Sequence, residues 1–404
     1  MTSQERVIVT VTFVAHLLCH ASVLLVTGLL IPLREEFDLT EFWVTVLPLT
    51  GYVLMGVGAV PAGLAADRWG TRPVLGIHFL LTGLACGAAA IAPNAWVFAG
   101  ALTILGAAVS LYHPTGLAMI SHGVKKRGLA LGIHGIAGSL GLAGSSFGLF
   151  FASTGNWRNA YWIISAVAIV CAAVFWTLPI RTDHETTTTT KPSSPQQRSG
   201  QSLIKLLVLL YMAMALSGFN YRSLMTALPT YLTASSSGVY TGVGSGGIVF
   251  VVFLLGGLGQ FLSGRFADRT RPERLYVLLV VCSVPLAMLL AFSAGVGRFG
   301  AASAMALALF HFGTQPAENL LIAQYTPARL RGTSYGIKFL VTFGLGALGA
   351  AVVGFFWRQS GTLAWTFVLF AAVAVVVAGV VFMLARSLAQ HARSSAPSPV
   401  PNCP

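Results

Sequence analysis

Charged side chains are scarce in this sequence. Asp, Glu, Lys and Arg make up 9% of its 404 residues, whereas a soluble domain carries roughly a quarter. Hydrophobic residues make up 55% of the chain and are spread over nearly all of it rather than confined to one segment. A water-soluble globular fold is therefore excluded, and the sequence predicts an integral membrane protein.

The motifs of several other protein classes are also missing. The five cysteines stand singly, without a C-x-x-C pair, so we expect neither a disulfide scaffold nor a metal site. There is no G-x-x-x-x-G-K-[ST] motif for ATP and no nucleophile and base at a telling spacing, so we expect no cofactor and no enzyme activity. The net charge of +13 is dispersed between apolar runs, which argues against nucleic acid as a partner.

Apolar runs long enough to cross a bilayer occur twelve times. A spanning helix needs about 20 predominantly apolar residues, and the alternating strands of a membrane barrel are absent. We therefore predict an all-α fold with twelve transmembrane helices, the first of them a retained span rather than a signal peptide. The predicted spans are 7–33, 41–64, 73–91, 95–122, 128–152, 157–180, 203–232, 241–265, 272–294, 298–325, 331–356 and 361–386.

The basic residues predict the orientation of these spans. Twelve spans put both termini on one side, and 18 of the 24 Lys and Arg residues fall on that side, against four on the other. Because basic loops stay in the cytoplasm, we expect both termini to be cytoplasmic. The chain is then a multi-pass protein of the cytoplasmic membrane.

The chain divides into two similar halves. A polar stretch rich in Thr, Ser, Gln and Pro separates six spans from six, and its composition cannot form a packed core. We predict an N-terminal bundle over 1–180, a cytoplasmic linker over 181–202, and a C-terminal bundle with a short tail over 203–404. Each bundle contains six helices, and the two bundles are related by pseudo-symmetry.

Two short motifs occur once in each half. Gly63-Leu-Ala-Ala-Asp67-Arg68, after span 2, recurs 201 residues later as Gly264-Arg-Phe-Ala-Asp268-Arg269. Arg127-Gly128, at the start of span 5, recurs 204 residues later as Arg331-Gly332. The second repeat makes His134 and Lys338 equivalent positions.

With these repeats, the chain resembles the major facilitator superfamily over essentially its whole length. Gly63-Leu-Ala-Ala-Asp67-Arg68-Trp-Gly70-Thr-Arg72 is similar to that family's G-x-x-x-D-R-x-G-R-R/K signature between spans 2 and 3, with Thr71 where a basic residue is usual. The resemblance implies a monomeric secondary transporter with a site between its halves. It also implies a cytoplasmic gate formed by Gly63, Asp67, Arg68, Gly70, Arg72, Gly264, Asp268 and Arg269.

In that gate, Asp67 and Arg68 would bridge the halves, with Asp67 near the start of span 11. A carboxylate beside a helix N-terminus is stabilised by the dipole and the unpaired N–H groups. The alternative is an ordinary turn that merely obeys the positive-inside rule. Two signatures of proton-coupled exporters are absent, since span 4 has no basic residue and Leu149 stands where proline would end span 5. The coupling mechanism of those exporters does not transfer directly.

Ionisable and polar groups within the spans are the candidate functional residues, because they are costly in lipid. We expect Arg222, Lys338, His134, His20, Tyr112, His113, Gln315 and Asn319 to bind substrate. Glu318, His16 and His311 are the candidates for proton coupling. The spacing of His311, Gln315, Glu318 and Asn319 predicts one stripe on span 10 around Pro316, and Pro114 predicts a kink in span 4.

Two simpler readings remain open for these residues. A histidine in a span can do no more than hydrogen-bond a neighbouring carbonyl, and Glu318 and Lys338 can form a purely structural ion pair. Arg222 is different, because no acidic residue lies near it in sequence. A guanidinium facing a cavity is most simply explained by an anionic ligand.

Together these features predict a secondary transporter of a small anionic or polar organic solute, working by alternating access as a proton-coupled efflux system. Tyr112-His113-Pro114 and Arg127-Gly128 resemble the branch of the family that contains fosmidomycin-resistance exporters. That resemblance implies an anionic cargo. The alternatives are uptake of a carboxylate-type metabolite and a non-transporting receptor or scaffold on the same fold.

Overall fold

The computed structural model describes residues 1–142, 144–180, 200–235, 244–293 and 297–394. Within these ranges the chain forms helices and connecting turns, with no strand. The helices of the N-terminal half are Ser3–Leu24, Leu30–Glu36, Glu41–Val46, Leu49–Val57, Ala59–Trp69, Thr71–Ala90, Ala95–Ser110, Tyr112–Gly123, Arg127–Gly141, Gly144–Ser153 and Arg158–Thr177. Those of the C-terminal half are Gly200–Ser235, Gly244–Ala267, Pro272–Phe292, Gly297–Phe312, Thr314–Tyr325, Arg331–Ser360 and Ala364–Ser394.

The predicted spans correspond to these helices. Ten helical stretches in the described ranges are long and apolar enough to cross a membrane, and a pair bent by 43° at Gly58 makes an eleventh. The remaining predicted span, 298–325, consists of two helices of 16 and 12 residues. The second of these carries Gln315, Glu318 and Asn319, so it is less apolar than the others. The predicted linker over 181–202 lies outside the described residues up to position 199.

Several predicted boundaries were too simple. Span 1 is one helix only to Leu24; it continues as a 3₁₀ turn over Leu25–Gly28 and a short helix from Leu30. Span 12 extends well beyond the predicted limit, to Ser394. Hydropathy reports depth in the membrane rather than backbone regularity, so neither feature was visible in it.

Spans 4 and 10 are interrupted at equivalent places. Span 4 breaks at Leu111, three residues before Pro114, and span 10 breaks at Gly313, three residues before Pro316. A proline has no N–H and crowds the carbonyl four residues earlier, which is that of Ser110 in one half and Phe312 in the other. The kink predicted at Pro114 is therefore present, and it has a counterpart 202 residues later.

The N-terminus and the end of span 12 lie at the same end of the bundle, which we call the terminal face. Thr2 caps the first helix, and Glu5 closes a capping box with it. Glu5 also accepts a hydrogen bond of 2.9 Å from the backbone N–H of Lys125, in the loop between spans 4 and 5. In the other half, Leu388 near the end of span 12 lines a cavity with Thr270, in the loop between spans 8 and 9, and with Glu273, in the first turn of span 9.

The two halves pack together through glycine-lined helices near this terminal face. Span 5 packs along span 8, and span 11 packs along the second part of span 2. A Cβ at Gly264 would overlap the carbonyl of Gly128, and a Cβ at Gly63 would overlap that of Gly332. Because lipid gives apolar surfaces no reason to associate, such close backbone approach supplies the van der Waals contact that holds membrane helices together.

These contacts predict the effect of one added methyl group. Gly264→Ala should destabilise the fold by about 1–3 kcal/mol, because the backbones must separate to admit it. Gly379→Ala is the matched control, because Gly379 is exposed in the interior of span 12 with open space around it. Thermal unfolding in detergent should show a lower midpoint for Gly264→Ala than for the parent protein, and an unchanged midpoint for Gly379→Ala. Equal midpoints would contradict the close contact.

Candidate functional site

Asp67 joins the halves by completing the start of span 11. One of its carboxylate oxygens accepts the backbone N–H of Gly332 at 2.8 Å, and the other accepts the N–H of Thr333 at 2.7 Å and the Thr333 hydroxyl at 2.6 Å. The first N–H groups of a helix have no partner within the helix, and its positive dipole end favours a carboxylate. The structure therefore places Asp67 where the family resemblance implied.

Asp268 makes the corresponding contact in the other direction. Its carboxylate accepts the backbone N–H of Gly128 at 2.7 Å and that of Leu129 at 2.9 Å, at the start of span 5. Each half thus supplies one carboxylate to a helix of the other half. The motif repeat in the sequence is a repeat of this contact, which we call the paired caps.

Further contacts between the halves lie beside the paired caps. The Arg331 guanidinium donates to the carbonyl of Ser121 at 3.1 Å, and the hydroxyls of Ser121 and Tyr335 are 3.2 Å apart. A ring nitrogen of His122 lies 3.1 Å from the carbonyl of Ala328. The halves are therefore closed against each other at the terminal face.

The predicted roles of the signature arginines need correction. Arg68 and Arg269 are exposed and make no ion pair or hydrogen bond within the described ranges, so the bridge between the halves is made by the aspartates without Arg68. Arg72 binds inside its own half, donating to the carbonyls of Trp176 and Leu178 at the end of span 6. Gly70 has a φ of 90°, a conformation that favours glycine, where the chain turns from span 2 into span 3.

Three histidines of spans 1 and 4 converge in the N-terminal half, close to the break in span 4. His16 and His20 face each other with their Nε2 atoms 3.1 Å apart, and the Nδ1 of His16 is 2.7 Å from the carbonyl of His134. His113 lies edge-on to His16, with ring centroids 5.2 Å apart. One ring nitrogen from each of His16, His20 and His113 can be chosen so that all lie within 4.8 Å of one another, the spacing of a potential metal site.

His134 belongs to the same cluster through stacking and a tyrosine. Its ring stacks on that of His16 at 3.9 Å between centroids. The Tyr112 hydroxyl donates to the carbonyl of Thr12 at 2.6 Å and lies 3.0 Å from the Nδ1 of His134. Tyr112 is fully buried. His134 and Tyr112, both predicted to bind substrate, therefore pack against the histidine cluster and hold the His16 ring in place.

The equivalent position in the C-terminal half is an ion pair. Lys338 lies 3.1 Å from a Glu318 oxygen and donates to the Asn319 side-chain oxygen at 2.6 Å, while the amide oxygen of half-buried Gln315 is 3.5 Å away. The Lys338 and Glu318 side chains are 1% and 2% exposed. The ion pair between Glu318 and Lys338, which the sequence analysis left open, is thus present, and it neutralises the buried lysine.

Arg222 is exposed, and no acidic side chain in the described part of the chain pairs with it. It lies in span 7, 202 residues after His20. Its neighbours include Tyr52, in span 2 of the other half, and Tyr221 of its own helix. Arg222 therefore lies within reach of both halves.

His311 is separate from these groups. The predicted stripe on span 10 assumed one continuous helix, but the break at Gly313 divides it. His311 packs edge-on against Phe370 of span 12, with centroids 5.0 Å apart. The structure therefore brings Gln315, Glu318 and Asn319 together around Lys338 and leaves His311 outside.

Three residues of this region were missed in the sequence. Phe339 stacks on His113 at 4.3 Å between centroids, linking the histidine cluster to span 11. The Tyr52 hydroxyl is buried without a hydrogen bond. Gln260 of span 8 donates to the Ser139 hydroxyl at 3.3 Å across the halves. For Gln260 a signal existed, since it is the polar residue four positions before Gly264; for the aromatic residues there was none.

The chain matches the profile of the family described as Major Facilitator Superfamily over residues 12–346. Two relatives from Bacillus subtilis (strain 168), the uncharacterized MFS-type transporters YfnC and YybF, are 24% and 25% identical. The matches cover 73% and 70% of this chain and 69% and 70% of the relatives.

Solved structures with the same fold include three transporters. The proton:xylose symporter XylE, bound to 6-bromo-6-deoxy-D-glucose, gives a TM-score of 0.73 at 15% identity, covering 93% of this chain and 94% of that one. FucP in its outward conformation gives 0.67 at 18%, covering 92% and 99%. The human organic anion transporter MFSD10 (TETRAN) gives 0.71 at 17%, covering 94% and 100%. At these identities the likeness shows the fold alone.

The paired caps predict a difference between neighbouring residues. Asp67→Ala should cost the closed terminal face about 1–2 kcal/mol, the usual value of a helix cap, and so raise the open population roughly five- to thirty-fold. A reporter cysteine at buried Ser121 (Ser121→Cys) should then react faster with a water-soluble maleimide, measured against the parent protein. Arg68→Ala should leave the rate unchanged; an equal increase in both variants would show that Asp67 has no special role.

Proposed function

This chain belongs to the major facilitator superfamily, and we propose that it exports a small anionic or polar organic solute across the cytoplasmic membrane in exchange for protons. Family membership makes it a multi-pass membrane transporter and not an enzyme. The observation that supports the cargo class is the exposed guanidinium of Arg222, which has no acidic partner among the described residues. A planar guanidinium binds carboxylate and phosphate groups in a two-pronged geometry.

The charge balance around Arg222 supports an anion. Of the two cations predicted within the spans, Lys338 is neutralised by Glu318 at 3.1 Å and is shielded from solvent. Arg222 then carries a charge that no acidic side chain among the described residues balances. A cationic drug would meet repulsion there, whereas an anion would supply the missing partner.

The orientation follows from the basic loops. If the terminal face is cytoplasmic, as the excess of Lys and Arg there implies, the paired caps close the site to the cytoplasm. Alternating access would break these contacts and let the halves meet at the opposite face. Both caps act on helix starts, so they can form and break without moving a charge into lipid.

Glu318 is the proton carrier in this proposal. It is a buried carboxylate on span 10, paired with Lys338 six residues inside the capped start of span 11. Protonation would remove the negative partner and leave Lys338 held by Asn319. Span 11 carries both the cap and the lysine, so a change at Glu318 acts directly on the helix that closes the terminal face.

The cargo class is tested by thermal unfolding of the purified chain in detergent. A ligand that binds the folded state raises its stability by about 2.7 kcal/mol at a concentration 100 times its Kd. Phosphonates and small carboxylates should stabilise the parent protein, and Arg222→Gln should lose that effect. Arg358→Gln removes an exposed arginine near the C-terminal end of span 11, and this variant should still be stabilised by the same anions.

Stabilisation by sugars or cationic drugs, unchanged in Arg222→Gln, would overturn the anionic cargo. Transport of the stabilising compound into proteoliposomes then separates a transporter from a receptor or scaffold on the same fold, since a scaffold moves nothing.

Proton coupling predicts a split between two transport assays. Glu318→Gln should abolish accumulation driven by a proton gradient and retain counterflow exchange, because exchange needs no net proton movement. Lys338→Met leaves a buried charge uncompensated and should lower the unfolding free energy by about 3–5 kcal/mol. If the pair is only structural, the double variant Glu318→Gln/Lys338→Met should regain gradient-driven transport, which would contradict the coupling role.

A further inference from the structure

The three imidazoles of His16, His20 and His113 converge on one point, and we propose that they bind a divalent transition-metal cation of the Zn²⁺ type. The site lies wholly within spans 1 and 4 of the N-terminal half, and neither Arg222 nor Glu318 belongs to it. It therefore goes beyond the proposed transport of an organic anion, and it stands or falls independently of that proposal.

The ligand spacing is close to that of a tetrahedral site. With metal–nitrogen bonds of about 2.0–2.1 Å, two nitrogens in a tetrahedral zinc site lie roughly 3.3 Å apart. The Nε2 atoms of His16 and His20 are already 3.1 Å apart. The third nitrogen, from His113, lies within 4.8 Å of both. The third nitrogen would have to move closer to the other two to share one ion with them.

The hydrogen bonds orient His16 as a metal ligand. The carbonyl of His134 can only accept, so the Nδ1 of His16, 2.7 Å away, carries the hydrogen. Its Nε2 then carries the lone pair of the ring, which accepts a hydrogen bond from the Nε2 of His20 and would be released to a metal that displaces that proton. A backbone carbonyl behind the non-ligating nitrogen is the usual support of a metal-bound histidine, because it fixes the tautomer and the plane of the ring.

His113 supplies an independent indication of a missing partner. Its side chain is buried and its Nδ1 has no hydrogen bond, which is costly for a polar atom in a membrane protein. Its Nε2 is 3.8 Å from the Cys19 sulfur, and the ring is fixed against Phe339. A metal ion bound through Nδ1 would supply the partner that this buried atom lacks among the described residues.

The chemistry of the cluster selects the metal. Three neutral imidazoles suit Zn²⁺, Co²⁺, Ni²⁺ and Cu²⁺, whereas Mg²⁺ and Ca²⁺ prefer oxygen ligands. With three protein ligands, a fourth position remains for water or an anion. His20 is half-buried, unlike His16 and His113, so it marks the side from which an ion would enter.

The test is calorimetric titration of the full chain, purified without a polyhistidine tag and stripped with a chelator, using Zn²⁺ alone. We expect one ion per chain, with binding weakened at least about tenfold in His20→Gln and in His113→Gln. His78→Gln is the matched control, because His78 is a buried histidine in the same half that hydrogen-bonds the carbonyl of Ala108 and lies outside the cluster. It should bind as the parent does.

Two further readouts keep the result decisive. Co²⁺ bound to the parent should show the visible absorption of tetrahedral coordination, and His20→Gln should lose it. Metal-free His20→Gln should unfold at the parent's temperature, which separates loss of a ligand from loss of the fold. Absence of stoichiometric binding, or equal weakening in His78→Gln, would overturn the site and leave the cluster as a hydrogen-bonding network.

Discussion

Two carboxylates hold the halves of this molecule together at one end, each by completing the first turn of a helix that belongs to the other half. A helix that starts inside a membrane protein has N–H groups that neither lipid nor its own backbone can satisfy. Asp67 and Asp268 satisfy them across the interface. The positions of spans 5 and 11, and therefore of His134 and Lys338 six residues further along each, depend on these two contacts.

About six residues further into the molecule than the paired caps, each half contains its own polar cluster, and the two clusters occupy equivalent positions. In the N-terminal half the cluster consists of imidazoles and a tyrosine, which can stay neutral; in the C-terminal half it is an ion pair with amide support. The backbone repeats, including the breaks before Pro114 and Pro316, but the chemistry does not. A transporter built from two copies of one fold can thus divide its tasks between them, with different ligands recognised by each half.

The spans and the contact at the paired caps could be predicted because hydropathy and short motifs along the sequence indicate them. Hydropathy predicted the spans, and the similarity of the Asp67 motif to the family signature implied a contact between Asp67 and the start of span 11. The partnership of Glu318 with Lys338 was one of two open readings, because sequence spacing cannot say which face of span 11 meets span 10. The convergence of His113 on His16 and the contact with Phe339 depend on a break at Leu111 and on packing between halves. Likewise, the stripe on span 10 was wrong for His311, because a helix broken at Gly313 no longer keeps one face.

The glycine contacts between the halves have a consequence for the energetics of the transport cycle. Long side chains that interdigitate lose rotational freedom each time two surfaces close, at a cost of up to roughly 2 kcal/mol each. Where Gly63 meets Gly332 and Gly264 meets Gly128, there is no side chain to immobilise. At these glycines, closing the terminal face therefore orders no side chain, and the ordering cost of closure is confined to neighbours such as Asp67, Asp268 and Arg331. A small ordering cost narrows the difference in free energy between open and closed forms, so in the proposed cycle a bound solute or proton has a smaller difference to overcome.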